Sequence, residues 1–240
     1  MSDGDFDRAV AGIGSLAEPV RRELYRYVCS RDEPVGRDEA AAATGLPHHR
    51  VKFHLDRLAA DGLLEVDYQR LGERTGPGAG RPAKRYRRAG AEVAVSLPAR
   101  DYELAGRLLA AAIDDSAHTG RPILEALREV AGAQGRELAA EVGDAAGTPA
   151  QVTERVLAVL AEYGFEPRQE ADRITLGNCP FHLLAREYTE LVCGMNHTML
   201  EGMTDTVQPP CLTAHLEPEP GRCCVVLRAV DRQADPERLR

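Results

Sequence analysis

No stretch of this 240-residue chain approaches the roughly 20 consecutive apolar residues that a membrane-spanning helix requires. Its first residues, Met1-Ser2-Asp3-Gly4-Asp5, are acidic and do not read as a secretion signal, so a cytoplasmic protein is expected. Six cysteines in that compartment are expected as thiols, metal ligands or redox groups, not as structural disulfides. None of them forms a Cys-x-x-Cys pair, which argues against a zinc ribbon or a thioredoxin-like site. No repeat, no phosphate-cradling glycine loop, no Cys-His nucleophile pattern and no carboxylate pair stands out, and an enzyme is not expected.

The chain is acidic overall, with a formal net charge of -8, which taken alone argues against a nucleic-acid partner. The distribution reverses that argument. Between Pro47 and Gly90 there are ten Lys or Arg against five acids, a local charge of +5, so the remainder carries -13. Phosphate binding depends on the local patch, and an acidic remainder keeps the other surfaces off DNA.

Within that basic stretch, residues 46–63 read as one helix. Val51, Leu55 and Leu58 fall on one stripe of a 3.6-residue repeat, and His48, His49, Arg50, Lys52, His54 and Arg57 fall mostly off it. Pro47 suits the first turn and Asp61-Gly62 the stop. Helices are expected before it at 6–16, 17–30 and 37–44, and the turn Thr44-Gly45-Leu46-Pro47 joins two of them at helix-turn-helix distance. Strands at 63–69 and 84–88 flank a Gly/Pro/Arg loop at 72–82, making the wing of a winged helix-turn-helix. In this reading His48, His49, Arg50, Lys52 and His54 contact bases and phosphates of double-stranded DNA. Arg81, in the compact Gly80-Arg81-Pro82, reaches toward an adjacent minor groove, and Arg81 with Lys84 holds the backbone.

Beyond a connector at 89–100, the periodicity predicts helices at 101–117, 122–142, 150–163, 181–192 and 195–206. Short strands are expected near 168–170, 173–176, 212–216 and 223–227. The expected fold class is α+β in three parts: a winged helix-turn-helix domain at 1–90, a helical linker or dimerisation segment at 91–149, and a sensor domain at 150–240. Two-fold symmetry would match a palindromic operator, so a homodimer is expected.

Five cysteines, Cys179, Cys193, Cys211, Cys223 and Cys224, lie in the last third, on elements that could converge on one centre. Cys179-Pro180-Phe181-His182 offers a Cys-x-x-His pair, which leaves zinc open. Core packing is the competing explanation for a buried cysteine, and it is the one adopted for Cys29. His182 is as readily a satisfied histidine as a ligand, and His197 and His215 are expected to be structural.

The stretch Val51-Lys52-Phe53-His54-Leu55-Asp56-Arg57-Leu58, with the wing Gly80-Arg81-Pro82-Ala83-Lys84-Arg85-Tyr86, resembles the ArsR-type winged-helix regulators. The runs Asn178-Cys179-Pro180-Phe181-His182, Leu191-Val192-Cys193 and Gly221-Arg222-Cys223-Cys224-Val225 resemble the branch containing the iron-sulfur-dependent repressors of the SUF cluster-assembly operon. That resemblance implies a [4Fe-4S] cluster in the C-terminal domain whose occupancy controls operator binding. It implies Cys179, Cys193 and Cys223 as ligands, with Cys211 or a non-cysteine group as the fourth. Cys223 and Cys224 open the strand expected at 223–227, so one of them is expected to be a ligand and the other a core residue, because adjacent strand side chains point to opposite faces. The expected protein is thus a DNA-binding repressor with an iron-sulfur sensor, or alternatively a winged-helix regulator with a zinc or small-molecule sensor.

Overall fold

The computed structural model describes residues 3–69, 83–143 and 147–230. The chain divides into two compact units, Ser2–Val95 and Ser96–Arg240. The first contains α1 (Asp3–Ser15), α2 (Pro19–Cys29), β1 (Val35–Gly36), α3 (Arg37–Thr44), α4 (His48–Ala60), β2 (Leu64–Gln69) and β3 (Ala83–Arg88).

Local chemistry sets these limits. Glu18 caps α2 by accepting from the Arg21 amide, and Pro19 stands in the first turn, where its missing N–H leaves no bond unmade. Gly45 ends α3 at φ 67°, a left-handed conformation that glycine adopts without strain, and α4 starts three residues later. Leu24, Val28, Val35, Ala40, Val51, Leu55, Leu58 and Tyr86 form the core of this unit.

β2 and β3 pair antiparallel, from Leu64 opposite Arg88 to Gln69 opposite Ala83, as the wing requires. The loop between them, with Arg81, falls outside the described residues. One strand departs from the sequence expectation. Pro34-Val35-Gly36 reads as a break, yet β1 adds a third strand in the order β1-β3-β2. Two residues carry no periodicity. Burial of Val35 and a bond from Arg85 Nε to the Pro34 carbonyl (2.6 Å) hold them in place.

The second unit contains α5 (Tyr102–Thr119), α6 (Ile123–Val142), α7 (Pro149–Glu162), β4 (Pro167–Glu170), β5 (Arg173–Leu176), α8 (His182–Glu187), α9 (Thr189–Thr206), β6 (Leu212–Leu216) and β7 (Val225–Ala229). Its sheet is antiparallel in the order β4-β5-β7-β6. Asp101 caps α5, and a Thr148–Gln151 capping box starts α7. Leu104, Leu108, Ala126 and Leu138 of α5 and α6 share one apolar cluster with Val156, Phe165, Met199 and Val225. The helices expected at 181–192 and 195–206 are instead divided at Tyr188, and Cys193 and Gly194 lie inside α9. A single helical glycine costs about 1 kcal/mol, too little to end a helix with a well-buried face. Among the described residues no helix is long and apolar enough to cross a membrane.

α6 and α9 approach until their backbones touch. A Cβ added to Gly135 would stand 1.9 Å from the Met199 carbonyl oxygen, and one added to Gly202 would stand 2.6 Å from the Gly132 oxygen. Neither neighbour can rotate away, because both are backbone. Gly106, on the exposed face of α5, has nothing within 4 Å. Thermal unfolding should therefore separate the two cases. Gly135→Ala should destabilise by about 3 kcal/mol or more, whereas Gly106→Ala should stabilise by about 0.5–1 kcal/mol. Equal midpoints for the two variants would refute the close approach.

Candidate functional site

The exposed face of α4 follows from its core stripe. Val51, Leu55 and Leu58 are fully buried, and His48, His49, Arg50, Lys52 and Arg57 are exposed. His48 Nε2 bonds the Asp38 carboxylate of α3. His54 corrects the sequence expectation. It lies three residues after Val51 and four before Leu58, on the buried stripe, and is only 8% exposed. Burial lowers its imidazole pKa. The Glu18 carboxylate 3.8 Å away opposes that shift, and the charges of Arg21 and Arg50 reinforce it. His54 thus belongs to the buried side of α4 and not to its exposed face. The side chain on the outside is its neighbour Phe53, at 63% exposed. Sequence reasoning passed over it because an aromatic residue on a helix normally signals core.

Lys84 is the second correction. It shares a face of β3 with the fully buried Tyr86, two residues on, and is half-buried against Asp56 of α4 in an ion pair. Tyr86 donates to Asp56 Oδ1 (2.7 Å), Arg37 Nε donates to the Tyr86 hydroxyl (3.1 Å), and Arg37 Nη2 lies 3.3 Å from both carboxylate oxygens. One carboxylate thus joins α3, α4 and β3. Burial would raise the Asp56 pKa, but the bonds from Lys84 and Tyr86 and the charges of Lys84 and Arg37 outweigh it and hold the carboxyl below its ordinary range. Lys84 serves this junction, so β3 turns outward only Arg87 and Arg88, and Arg87 pairs with Glu65 at 2.9 Å.

In the second unit the fold gathers four thiols. Cys179 follows β5, Cys193 lies in α9, and Cys223 and Cys224 precede β7; all four are buried. All four line one cavity, and each shifts the titration of its neighbour in the order Cys179–Cys223–Cys224–Cys193. The doublet stands in a bend, not a strand, so strand alternation does not separate its two side chains and both reach the group. Cys211 does not join it. Its thiol bonds Thr153, and burial pushes its pKa up. The fourth thiol of the group is Cys224, whereas the resemblance implies Cys211 or a non-cysteine group as the fourth ligand.

The surroundings favour negative sulfur. The Phe181 amide donates to Cys179, the Val225 amide donates to Cys223, and Asn196 Nδ2 donates to Cys223 Sγ at 3.2 Å. Asn196 is 1% exposed, and among the described residues its Oδ1 has no hydrogen-bond partner. A buried orphan oxygen costs about 1–3 kcal/mol, so the amide is held there at a cost that its bond to sulfur helps offset. Donation from Cys179 and then Cys224 holds the Cys223 thiol well below its usual range, against desolvation. Donation from Cys224 lowers Cys193 in the same way, and the two donors are pushed up. Arg222, paired with Glu219 at 2.7 Å, adds a positive charge beside Cys223. These thiols, His182 and Arg222 line a cavity of about 370 Å³. Among the described residues no three His, Cys, Asp or Glu side chains are placed to hold a metal ion. Cys29 belongs to the first unit, half-buried in α2. His197 bonds the Ala214 carbonyl and His215 the Thr213 hydroxyl.

Residues 16–67 match a family described as a helix-turn-helix domain, over α2, α3, α4 and most of β2. Comparison with curated proteins and with solved structures gives no match.

The Asp56 junction has a pH signature. Its folded pKa is depressed, so its contribution is complete above the ordinary Asp range and is lost as pH falls through the folded value. Unfolding of the first unit, followed from about pH 6 to about pH 2, should show the wild-type midpoint falling toward that of Asp56→Asn. A gap that stays constant over this range would mean that the charge on Asp56 contributes nothing.

Proposed function

We propose that this regulator, which carries an ArsR-like helix-turn-helix domain for binding DNA, reads the state of an iron-sulfur cluster held by Cys179, Cys193, Cys223 and Cys224. The observation that carries the reading is the convergence of four buried thiols from three separated segments on one cavity. Thiolate sulfur is the soft, anionic donor that such clusters take, and three N–H groups together with Arg222 compensate that charge. When bound, the cluster supplies a redox-sensitive cross-link among the four sulfurs. A zinc site through Cys179 and His182 has less support, because a single ion needs three or four donors aimed at one point. In a polynuclear cluster each thiolate meets a different iron.

The chain's own residues provide the coupling. Ligation ties the segment after β5, the middle of α9 and the bend before β7 to one another. α9 in turn is wedged against α6 by glycine contacts, so its position is passed on with little slack. Releasing these segments changes the homodimer that the second unit supports. The spacing of the two α4 helices then no longer matches the half-sites of a palindromic operator. The repressor acts in the cytoplasm, on double-stranded DNA.

Protein purified without oxygen should be brown, with a broad band near about 400 nm and with iron and sulfide in equal amounts. Cys193→Ala and Cys224→Ala should lose the band, and Cys211→Ala should keep it. A colourless protein with stoichiometric zinc, or the opposite order among the cysteine variants, would overturn this assignment. In a gel-shift assay on a duplex selected by the chain, iron-loaded and iron-depleted protein should differ in affinity by about tenfold or more, a coupling of about 1.4 kcal/mol. Identical affinity would remove the sensor role.

A further inference from the structure

The face that α4 turns to solvent has a feature that phosphate binding does not explain. The buried stripe consists of Val51, His54, Leu55 and Leu58. At 100° per residue, the direction opposite that stripe passes between His49 and Phe53, which are one turn apart. Arg50 and Arg57 flank this line on one side and Lys52 flanks it on the other. The cations therefore stand at the margins. Asp56 lies as near the centre as Phe53 but is engaged by Arg37, Lys84 and Tyr86, so the side chains presented there are His49 and the Phe53 ring. Phe53 is the most exposed large apolar side chain described in the first unit, and its one ring contact among the described residues is edge-on to His54, with centroids 5.2 Å apart. An isolated exposed Leu or Phe needs no explanation in general. A phenyl ring at the centre of the basic face of a helix-turn-helix helix does, because it will be the side chain pressed against base edges when the margins meet the phosphates.

We propose that Phe53 is a specificity residue of the DNA interface and that it reads the 5-methyl group of a thymine. The inference rests on the DNA-binding reading of α4. The chemistry is narrow. Phenylalanine has no hydrogen-bonding atom, and every base edge in the major groove is polar except the thymine methyl. Against any other base the ring displaces water from donors and acceptors that it cannot satisfy. Against thymine it buries one methyl group and part of its own surface, both apolar. Lys52, Arg50 and Arg57 fix the register through phosphate contacts that carry no sequence information, leaving the discrimination to the centre of the face.

The test uses the full chain, purified without oxygen, and duplexes that it selects from a random library. Each conserved thymine in the selected duplex is replaced in turn by deoxyuridine, which keeps every pairing and groove hydrogen bond and removes only the methyl. The wild type should lose affinity by about 4- to 10-fold at one thymine per half-site. Phe53→Ala should bind the thymine and uracil duplexes equally, and Phe53→Leu should keep part of the preference. All three proteins should unfold at the same temperature, because the ring supports no core. If the wild type binds every uracil duplex as it binds thymine, or if Phe53→Ala keeps the preference, the assignment is wrong while DNA binding stands. If selection enriches no duplex, DNA reading by α4 itself fails and the assignment fails with it.

Discussion

How closely α9 can lie on α6 governs the second unit. Glycines at 135 and 202 remove the side chains that would hold the two helices at an ordinary distance, so backbone meets backbone. That contact fixes the rotation of α9 about its own axis. Met195, Met199 and Met203 are then committed to the core, and Cys193 and Asn196, one turn apart, are presented together to the bend before β7. A looser packing would leave α9 free to rotate, and a thiol group assembled from three segments tolerates little rotation. The glycines therefore belong to the thiol site as much as to the core.

The first unit is organised differently, around a charge. Asp56 is not buried deeply, but it is shared by Arg37, Lys84 and Tyr86, and these come from α3 and β3. Exposed ion pairs contribute little because water competes for each partner. Here the pairs share one carboxylate with a tyrosine hydroxyl in the core, so breaking any one leaves the others partly unsatisfied. The network locks the wing to the helix that it flanks. It also turns Lys84 toward Asp56 and away from the exposed face.

Most of the secondary structure was legible in the sequence because its causes are local. The stripe of Val51, Leu55 and Leu58, the Gly45 turn and the two strands of the wing depend on neighbours within a turn or a hairpin. The errors arose where a residue's role depends on something distant. His54 was assigned outward from its polarity, although its position in the repeat already placed it on the buried stripe. β1 is held by Tyr86 and Arg85, about fifty residues away, and no pattern within two residues could announce that. The division falls at Tyr188, between α8 and α9, and not between residues 192 and 195.

What the sequence determined by itself is the architecture: a basic helix-turn-helix with a wing, an acidic α+β remainder, and cysteines concentrated in the last third. These are matters of period, charge and turn chemistry, and each is set by residues close together along the chain. Only the tertiary structure decided which thiols meet. The resemblance implies Cys211 or a non-cysteine group beside Cys179, Cys193 and Cys223, but the bend before β7 turns both members of the doublet toward α9 while Cys211 lies by Thr153. Convergence of that kind depends on helix rotation and strand order, which the whole core fixes at once, so no local pattern records it.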